Sequence, residues 1–330
     1  MVSAASLEKV KDCIRRGNRF VLTTHVNPDG DGLGSEAAMA AFLNELGKDV
    51  YIFNSGPVPA NYRFLDSSNK MIVYKPHLHR EILFSADYII ILDISDWNRL
   101  RKIGEDMRDL KTKKICIDHH PPMEKFGDIN LINIEACSTG EIVYDLIKFC
   151  CAPISKTIAE ALYTCIVTDT GSFKFSNTNA RAYTISGELV EAGVNPQKIY
   201  QQIYEHQTKS KIKLFAYVLN NLHFEQNDRV VWVEVTQKVL EEIGAKSYET
   251  DGLADYPRVI NGVEVSIMFI EKQKSRIKVS LRSSGNFVIN GIAQKFGGGG
   301  HPFAAGVSIE GSLKEYRPKI LEEVSYLFRR

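Results

Sequence analysis

Two short, almost unbroken apolar runs constrain this chain more than anything else in it: Tyr88-Ile89-Ile90-Ile91-Leu92 and Lys114-Ile115-Cys116-Ile117. A strand that is apolar on both sides must be covered on both faces, which is the condition of a strand inside a parallel sheet. Each run ends in acid: Asp93-Ile94-Ser95-Asp96 after the first, Asp118-His119-His120-Pro121 after the second. A third run, Phe20-Val21-Leu22, leads into Thr24–Ser35, which reads THVNPDGDGLGS. Open α/β sheets place their ligands at the carboxyl ends of their strands. The alternation of strand and helix from residue 20 to about 135 therefore predicts a doubly wound parallel sheet with a ligand site at that edge.

The residue types there suit a metal. His25 offers a ring nitrogen, and Asp29 and Asp31 offer carboxylates, on an expected turn between a strand and a helix of Ala37, Ala38, Met39, Ala40, Phe42, Leu43 and Leu46. Such a mixed set takes Mn²⁺, Fe²⁺, Zn²⁺ or Mg²⁺ rather than a thiol-seeking ion. Gly30 permits a tight turn, and Gly32 and Gly34 are expected to let the chain approach a ligand closely. Asn-Pro and Asp-Gly are also ordinary turn dipeptides, and Asp93 and Asp169 could simply cap helices. Two adjacent histidines after a carboxylate are harder to explain by folding, and Asp118 could fix the tautomer of a ring. Asp169, in Thr168-Asp169-Thr170-Gly171-Ser172-Phe173, sits where an apolar helix gives way to a Gly-Ser turn.

At 330 residues, one large or two ordinary domains are expected. A net charge of +1 gives no global basic field for long nucleic acid, though a local basic pocket could hold a short anion. No stretch reads as a signal peptide or a membrane span. The six cysteines form no CxxC pair and read as reduced, mostly buried thiols, so a cytoplasmic protein is expected. Residues 1–194 are expected to form the first domain and 195–227 a polar helical linker, with a second, smaller α/β domain over 228–330. Residues 55–80 read as mixed, broken by Pro57, Pro59 and Pro76. In the second domain Gly297-Gly298-Gly299-Gly300-His301 lies between a helix and a strand, where bare N–H groups could meet an anion. Arg282 ends the preceding strand and could clamp a phosphate, or could be a solvated strand end.

HVNPDGDGLGS (25–35), LDISD (92–96), DHHP (118–121), TDTGSF (168–173) and GGGGHPFAAG (297–306) run in one order over nearly the whole chain. Together they resemble the DHH phosphoesterase superfamily, in the branch that carries a DHHA1 domain, nearest its oligoribonuclease and 3′,5′-bisphosphate nucleotidase members. The resemblance implies a parallel-sheet DHH domain, a smaller C-terminal DHHA1 domain and an active-site cleft between them. It implies two divalent ions, Mn²⁺ being the family's usual occupant. One would be held by His25, Asp29 and Asp93, the other by Asp31, Asp93, His119 and Asp169. It makes Asp118 and His120 the catalytic pair, Asp118 orienting a histidine and His120 facing the phosphate. Arg282, Gly298, Gly299, Gly300 and His301 would bind substrate. The implied reaction is hydrolysis of short oligoribonucleotides to mononucleotides, and of 3′-phosphoadenosine 5′-phosphate (pAp) to AMP, by a two-metal-activated hydroxide. The alternative is a cyclic- or linear-dinucleotide phosphodiesterase of the same superfamily. Short RNA and pAp are thus the expected partners, with no membrane and with a homodimer as the candidate assembly. A manganese pyrophosphatase is disfavoured by the glycine-rich second domain, and a non-catalytic nucleic-acid module by the six intact ligand candidates.

Overall fold

The computed structural model describes residues 2–94, 96–121, 126–250, 252–272 and 275–329. Ser95 of the LDISD motif lies outside them. Contacts divide the chain into two units, Met1–His206 and Gln207–Arg330.

The first unit runs α1 (Ala4–Arg16), β1 (Arg19–Thr23), α2 (Gly30–Glu45), β2 (Asp49–Asn54), β3 (Met71–Val73), α3 (Pro76–Phe84), β4 (Tyr88–Leu92), α4 (Arg101–Arg108), β5 (Lys113–Asp118) and β6 (Ile129–Ile132). Four helices follow: α5 (Thr139–Phe149), α6 (Lys156–Asp169), α7 (Ala180–Glu191) and α8 (Pro196–Tyr204). All six strands are parallel, in the order β3-β2-β1-β4-β5-β6. The apolar runs are β4 and β5, and they bury both faces because alternate side chains enter different cores. Leu22, Ile90, Leu92, Ile115 and Ile117 pack with α1, α2, α5 and α6. Val21, Ile89, Ile91 and Cys116 pack with Leu83 of α3 and Ile103 and Met107 of α4. Each fully buried Ile or Leu contributes about 1.5–3 kcal/mol. Leaving β1, the chain builds β2 on one side and later returns to lay β4 on the other. The carboxyl edge between β1 and β4 is therefore the switch point of the sheet.

Polar caps set most of the helix starts. Ser3, Ser138, Ser155 and Asn179 each accept a backbone N–H at the head of α1, α5, α6 and α7. Asp29 does the same for α2, so that helix begins at Gly30, inside the motif. Asp31, Gly32 and Gly34, expected on a turn, are helical. Pro76, expected only to break structure, occupies the first turn of α3, where its missing N–H costs nothing.

The second unit runs α9 (Lys209–Asn220), β7 (His223–Glu225), β8 (Val230–Val235), α10 (Gln237–Ile243), β9 (Val265–Lys272), β10 (Arg276–Ser283), α11 (Asn290–Lys295), β11 (Gly299–His301), β12 (Ala304–Glu310) and α12 (Leu313–Ser325). Its sheet has the order β11-β12-β10-β9-β8-β7 and is antiparallel except between β8 and β9. The stretch 195–227 holds α8, which falls in the first unit, and α9 and β7, which fall in the second. Among the described residues no helix is long and apolar enough to cross a membrane.

Candidate metal centre

Every nominated residue of the first unit lies at or just beyond the end of an element. His25 follows β1, Asp29 caps α2 and Asp31 is in its first turn, Asp93 follows β4, and Asp118 closes β5 ahead of His119 and His120. Asp169 ends α6. Folding gathers them into three groups whose candidate ligand atoms lie within 4.8 Å of one another: His25, Asp29 and Asp93; Asp31, His119 and Asp169; Asp93, His119 and His120. His25 Nε2 is 3.7 Å from Asp29 Oδ2 and 3.4 Å from Asp93 Oδ2. His119 Nε2 is 3.7 Å from Asp31 Oδ2, 3.8 Å from Asp93 Oδ1 and 3.6 Å from Asp169 Oδ2. Atoms that each stand about 2.0–2.2 Å from one cation come to rest at about 3–3.5 Å from each other; the spacings here, 3.4–3.8 Å, are a few tenths of an ångström wider, a gap that small side-chain movements would close. Asp93 turns one oxygen toward each histidine.

The rings are set for ligation. Nδ1 of His25 donates to the Val26 carbonyl at 2.9 Å, and Nδ1 of His119 to that of Ala136 at 3.3 Å. In both, the proton is on Nδ1 and the Nε2 lone pair faces the carboxylates. Burial lowers the pKa of His25, keeping the ring neutral. His119 Nε2 is buried and has no hydrogen-bond partner. An acceptor nitrogen left bare beside three carboxylates is what a cation would complete, so the donor set fits a divalent ion. His120 differs. Its Nδ1 donates to Asp118 Oδ1 at 2.8 Å, so that nitrogen is engaged and His120 is not a ligand through it. The hydrogen bond that it gives to buried Asp118 pushes the His120 pKa up to about 9.

The carboxylates are anchored just as firmly. Asp29 Oδ1 accepts the N–H groups of Asp31 and Gly32, leaving Oδ2 for His25. Asp29 thus caps α2 through one oxygen and leaves the other facing His25. The first turn of α5 grips Asp31, Thr139 N–H donating to Oδ2 at 2.7 Å and Gly140 N–H to Oδ1 at 3.0 Å. Thr139 Oγ1 donates to Asp93 Oδ1 at 3.0 Å. Asp93 holds φ at 60°, a conformation costly for most side chains but tolerated by Asp and Asn.

Residues 19–166 match the model of the DHH family, N-terminal domain, and residues 229–330 that of the DHHA1 domain. The chain is 30% identical over 294 residues to the bifunctional oligoribonuclease and PAP phosphatase NrnA of Bacillus subtilis, covering 88% of this chain and 89% of that one. NrnA of Thermus thermophilus is also 30% identical, over 92% and 88% of the two chains. This chain belongs to the DHH phosphoesterase family. A solved exopolyphosphatase-related protein from Bacteroides fragilis superposes with a TM-score of 0.93 at 28% identity, covering 100% of this chain and 99% of that one.

In this DHH-family chain the carboxylates repel one another strongly when no cation stands between them. Burial, then Asp93, Asp169 and Asp29, push the Asp31 pKa well up; burial and then Asp29 do the same to Asp93, and burial raises Asp169. Asn177, in a turn without a sequence pattern of its own, steadies Asp169 by donating to its Oδ2 at 3.2 Å and to its carbonyl at 3.1 Å. Thr139 is hidden in the sequence, since a hydroxyl at a helix start reads as capping.

The glycines of the first motif serve packing rather than ligand approach. A Cβ on Gly32 would fall 2.5 Å from Thr24 Oγ1, and one on Gly34 would fall 2.6 Å from Cys165 Sγ. In the DHHA1 unit, Gly298 and Gly300 are likewise forced by the neighbouring β12 backbone, whereas a Cβ on Gly299 would meet open space. Gly299–His301 forms the edge strand β11, paired to β12. Ala304 stands between His301 on β11 and Arg282 on β10 in one cross-strand row, which places both side chains on one face of the sheet. Arg282 Nε donates to Asp255 Oδ1 at 2.8 Å, and its Nη1 to the Leu281 carbonyl at 3.0 Å.

Helix α2 carries a further buried acid. Glu36 Oε2 accepts from Asn54 Nδ2 at 2.8 Å, and Asn54 Oδ1 accepts the Thr24 N–H at 3.2 Å. A charged residue in an otherwise apolar helix was the available signal. Burial pushes the Glu36 pKa up to about 8. A carboxyl raised in the fold contributes stability that is complete below its unfolded value, near 4.5, and is lost as the pH rises through 8. Metal-free wild type should therefore lose stability relative to Glu36→Gln between pH 5 and pH 8, by roughly 3 kcal/mol at about 1.4 kcal/mol per unit. Urea unfolding of both proteins at the two pH values checks it, and parallel pH dependences would refute the assignment.

Proposed function

We propose that this chain cleaves short oligoribonucleotides to mononucleotides and removes the 3′-phosphate of pAp, using two divalent cations, Mn²⁺ foremost. The observation that carries the reading is the unpartnered Nε2 of His119 among Asp31, Asp93 and Asp169, with the proton-bearing His120 beside it. The activity named for the relatives from B. subtilis and T. thermophilus supports the same substrates. His25, Asp29 and Asp93 would hold one cation, and Asp31, Asp93, His119 and Asp169 the other. Bound there, the cations supply Lewis acidity and a water of lowered pKa.

The chain's own groups then do the rest. Asp118 holds the Nδ1 proton of His120 and keeps the ring cationic, so its other nitrogen, Nε2, presents an N–H to a phosphoryl or leaving oxygen. A hydrogen bond from that N–H stabilises charge that grows on phosphate oxygens in the transition state. In the DHHA1 unit Asp255 steadies Arg282 by its Nε, leaving the guanidinium free to take an anionic oxygen at Nη2. His301 and the open face of Gly299 would complete that grip, with Gly298 and Gly300 shaping the backbone around it.

The test is a product analysis. Metal-stripped protein is given Mn²⁺ and then pAp, end-labelled RNAs of two to five nucleotides, linear and cyclic dinucleotides, and pyrophosphate. AMP from pAp and mononucleotides from the RNAs, both dependent on added metal, are the expected products. Turnover confined to the dinucleotides would replace this reading with the phosphodiesterase one. Turnover of pyrophosphate alone, or none in Mn²⁺, Mg²⁺ or Co²⁺, would overturn it.

A further inference from the structure

The loop that leaves Asp169 is unusually constrained. Gly171, Ser172 and Phe173 follow one another at φ 55°, 59° and 64°, and two of the three carry side chains that disfavour such angles. The loop is tied down on all sides. Thr170 accepts from Lys174 N–H at 2.9 Å and Phe175 N–H at 3.0 Å through its carbonyl, and from Phe173 N–H at 3.1 Å through its hydroxyl. The Phe175 carbonyl accepts from Thr178 N–H at 3.0 Å, and Asn177 returns to Asp169 itself. Strain that persists under so many ties is characteristic of functional segments.

The product of this geometry is one ring in the open. Phe175 is 55% exposed. Its ring lies across Gly171, since a Cβ there would fall 2.5–2.6 Å from three ring atoms. That contact demands glycine and fixes the ring from below. Phe173 is already stacked on Tyr183, with centroids 5.0 Å apart at 19°. Phe175 has no such aromatic partner among the described residues. Gly171 is two residues from Asp169, so their Cα atoms are at most about 7.6 Å apart. An exposed, immobilised ring thus stands within one nucleotide's reach of a carboxylate of the metal centre.

We propose that Phe175 is the base-stacking residue of this site. The nucleobase next to the phosphate under attack packs on the ring's open face. The inference rests on the nucleotide substrates proposed above and names the residue that distinguishes them from phosphoesters without a base. Every base has a π-face, so the platform favours nucleotides over other phosphoesters without choosing among sequences.

The test compares KM for a dinucleotide with KM for the same compound lacking the base nearest the scissile phosphate. Wild type should favour the base-bearing compound by roughly ten- to a hundredfold. Phe175→Ala and Phe175→Leu should both lose that preference; leucine keeps most of the volume but has no flat π-face, so it separates stacking from loop support. Phe175→Trp should retain it. In the metal-loaded tryptophan variant, titration with AMP should quench fluorescence beyond the change that Trp97 and Trp232 give in wild type. A preference kept in both the alanine and leucine variants, or no added quench in the tryptophan variant, overturns the proposal. If wild type hydrolyses neither pAp nor short RNA, the substrate reading falls instead, while AMP quenching still reports on the ring.

Discussion

Asp93→Asn should cut turnover by at least about a thousandfold and abolish tight metal uptake, yet leave the metal-free protein more stable than wild type. Asp93 is 2% exposed, faces both histidines and lies in two of the three ligand groups. Losing its charge weakens both proposed cation positions, and a loss of about 4 kcal/mol from a transition state is a thousandfold in rate. The gain without metal has the opposite cause. Burial and Asp29 hold the Asp93 pKa well above its ordinary value, so ionising it near neutral pH opposes folding. Asparagine has nearly the same shape, tolerates φ near 60° and can keep the hydrogen bond from Thr139. Removing the buried charge should add about 1–3 kcal/mol at pH 8. Metal analysis after dialysis and melting with and without Mn²⁺ measure both effects. A full Mn²⁺-induced rise in Tm in the variant would remove Asp93 from the centre.

Gly140→Ala should cost about 3 kcal/mol of stability and weaken metal binding with it. A Cβ at this position would stand 2.3 Å from Cys165 Cβ and 2.7 Å from its Sγ. Helix α5 could admit the methyl group only by backing away from α6. Gly140 N–H also holds Asp31 Oδ1, so the retreat would draw a proposed ligand out of place. Cys165→Gly removes the colliding atoms. It should destabilise wild type but return part of the loss in the Gly140→Ala background, and chemical denaturation of the four proteins gives the coupling. Additive losses would mean that the two helices do not meet as described.

What the sequence disclosed and what it hid follow from the range of the interactions. The apolar runs of β4 and β5 betray a doubly covered sheet because burial of successive side chains is written locally. The His and Asp candidates are visible because they cluster where the pattern of one element stops and the next begins. The reach of α2 into the motif was hidden, since Gly30, Gly32 and Gly34 have poor helix propensity and owe their helical state to Asp29 and to packing. Helix α4, Arg101–Arg108, was obscured by its charges, although Ile103 and Met107 at i, i+4 point into the core. Thr139 and Asn177 act on Asp93 and Asp169 through contacts that their local sequence does not mark, and Glu36 shows only as a charge in a mostly apolar helix. Arg282 is marked by its place at a strand end, but its ion pair with Asp255 spans 27 positions and shows only in the fold.

Four of the six proposed ligands, His25, His119, Asp29 and Asp31, are steadied by main-chain groups. A carbonyl or an N–H is present whatever side chain its residue bears. Val26 and Ala136, which orient the two rings, contribute nothing to that task that another residue in the same backbone conformation would lack. The centre is therefore buffered against drift: most of the neighbouring sequence can change while the ligands keep their aim. What evolution is not free to alter is the small set of glycines that let the helices meet, so the least chemical residues of the site are among its most confined.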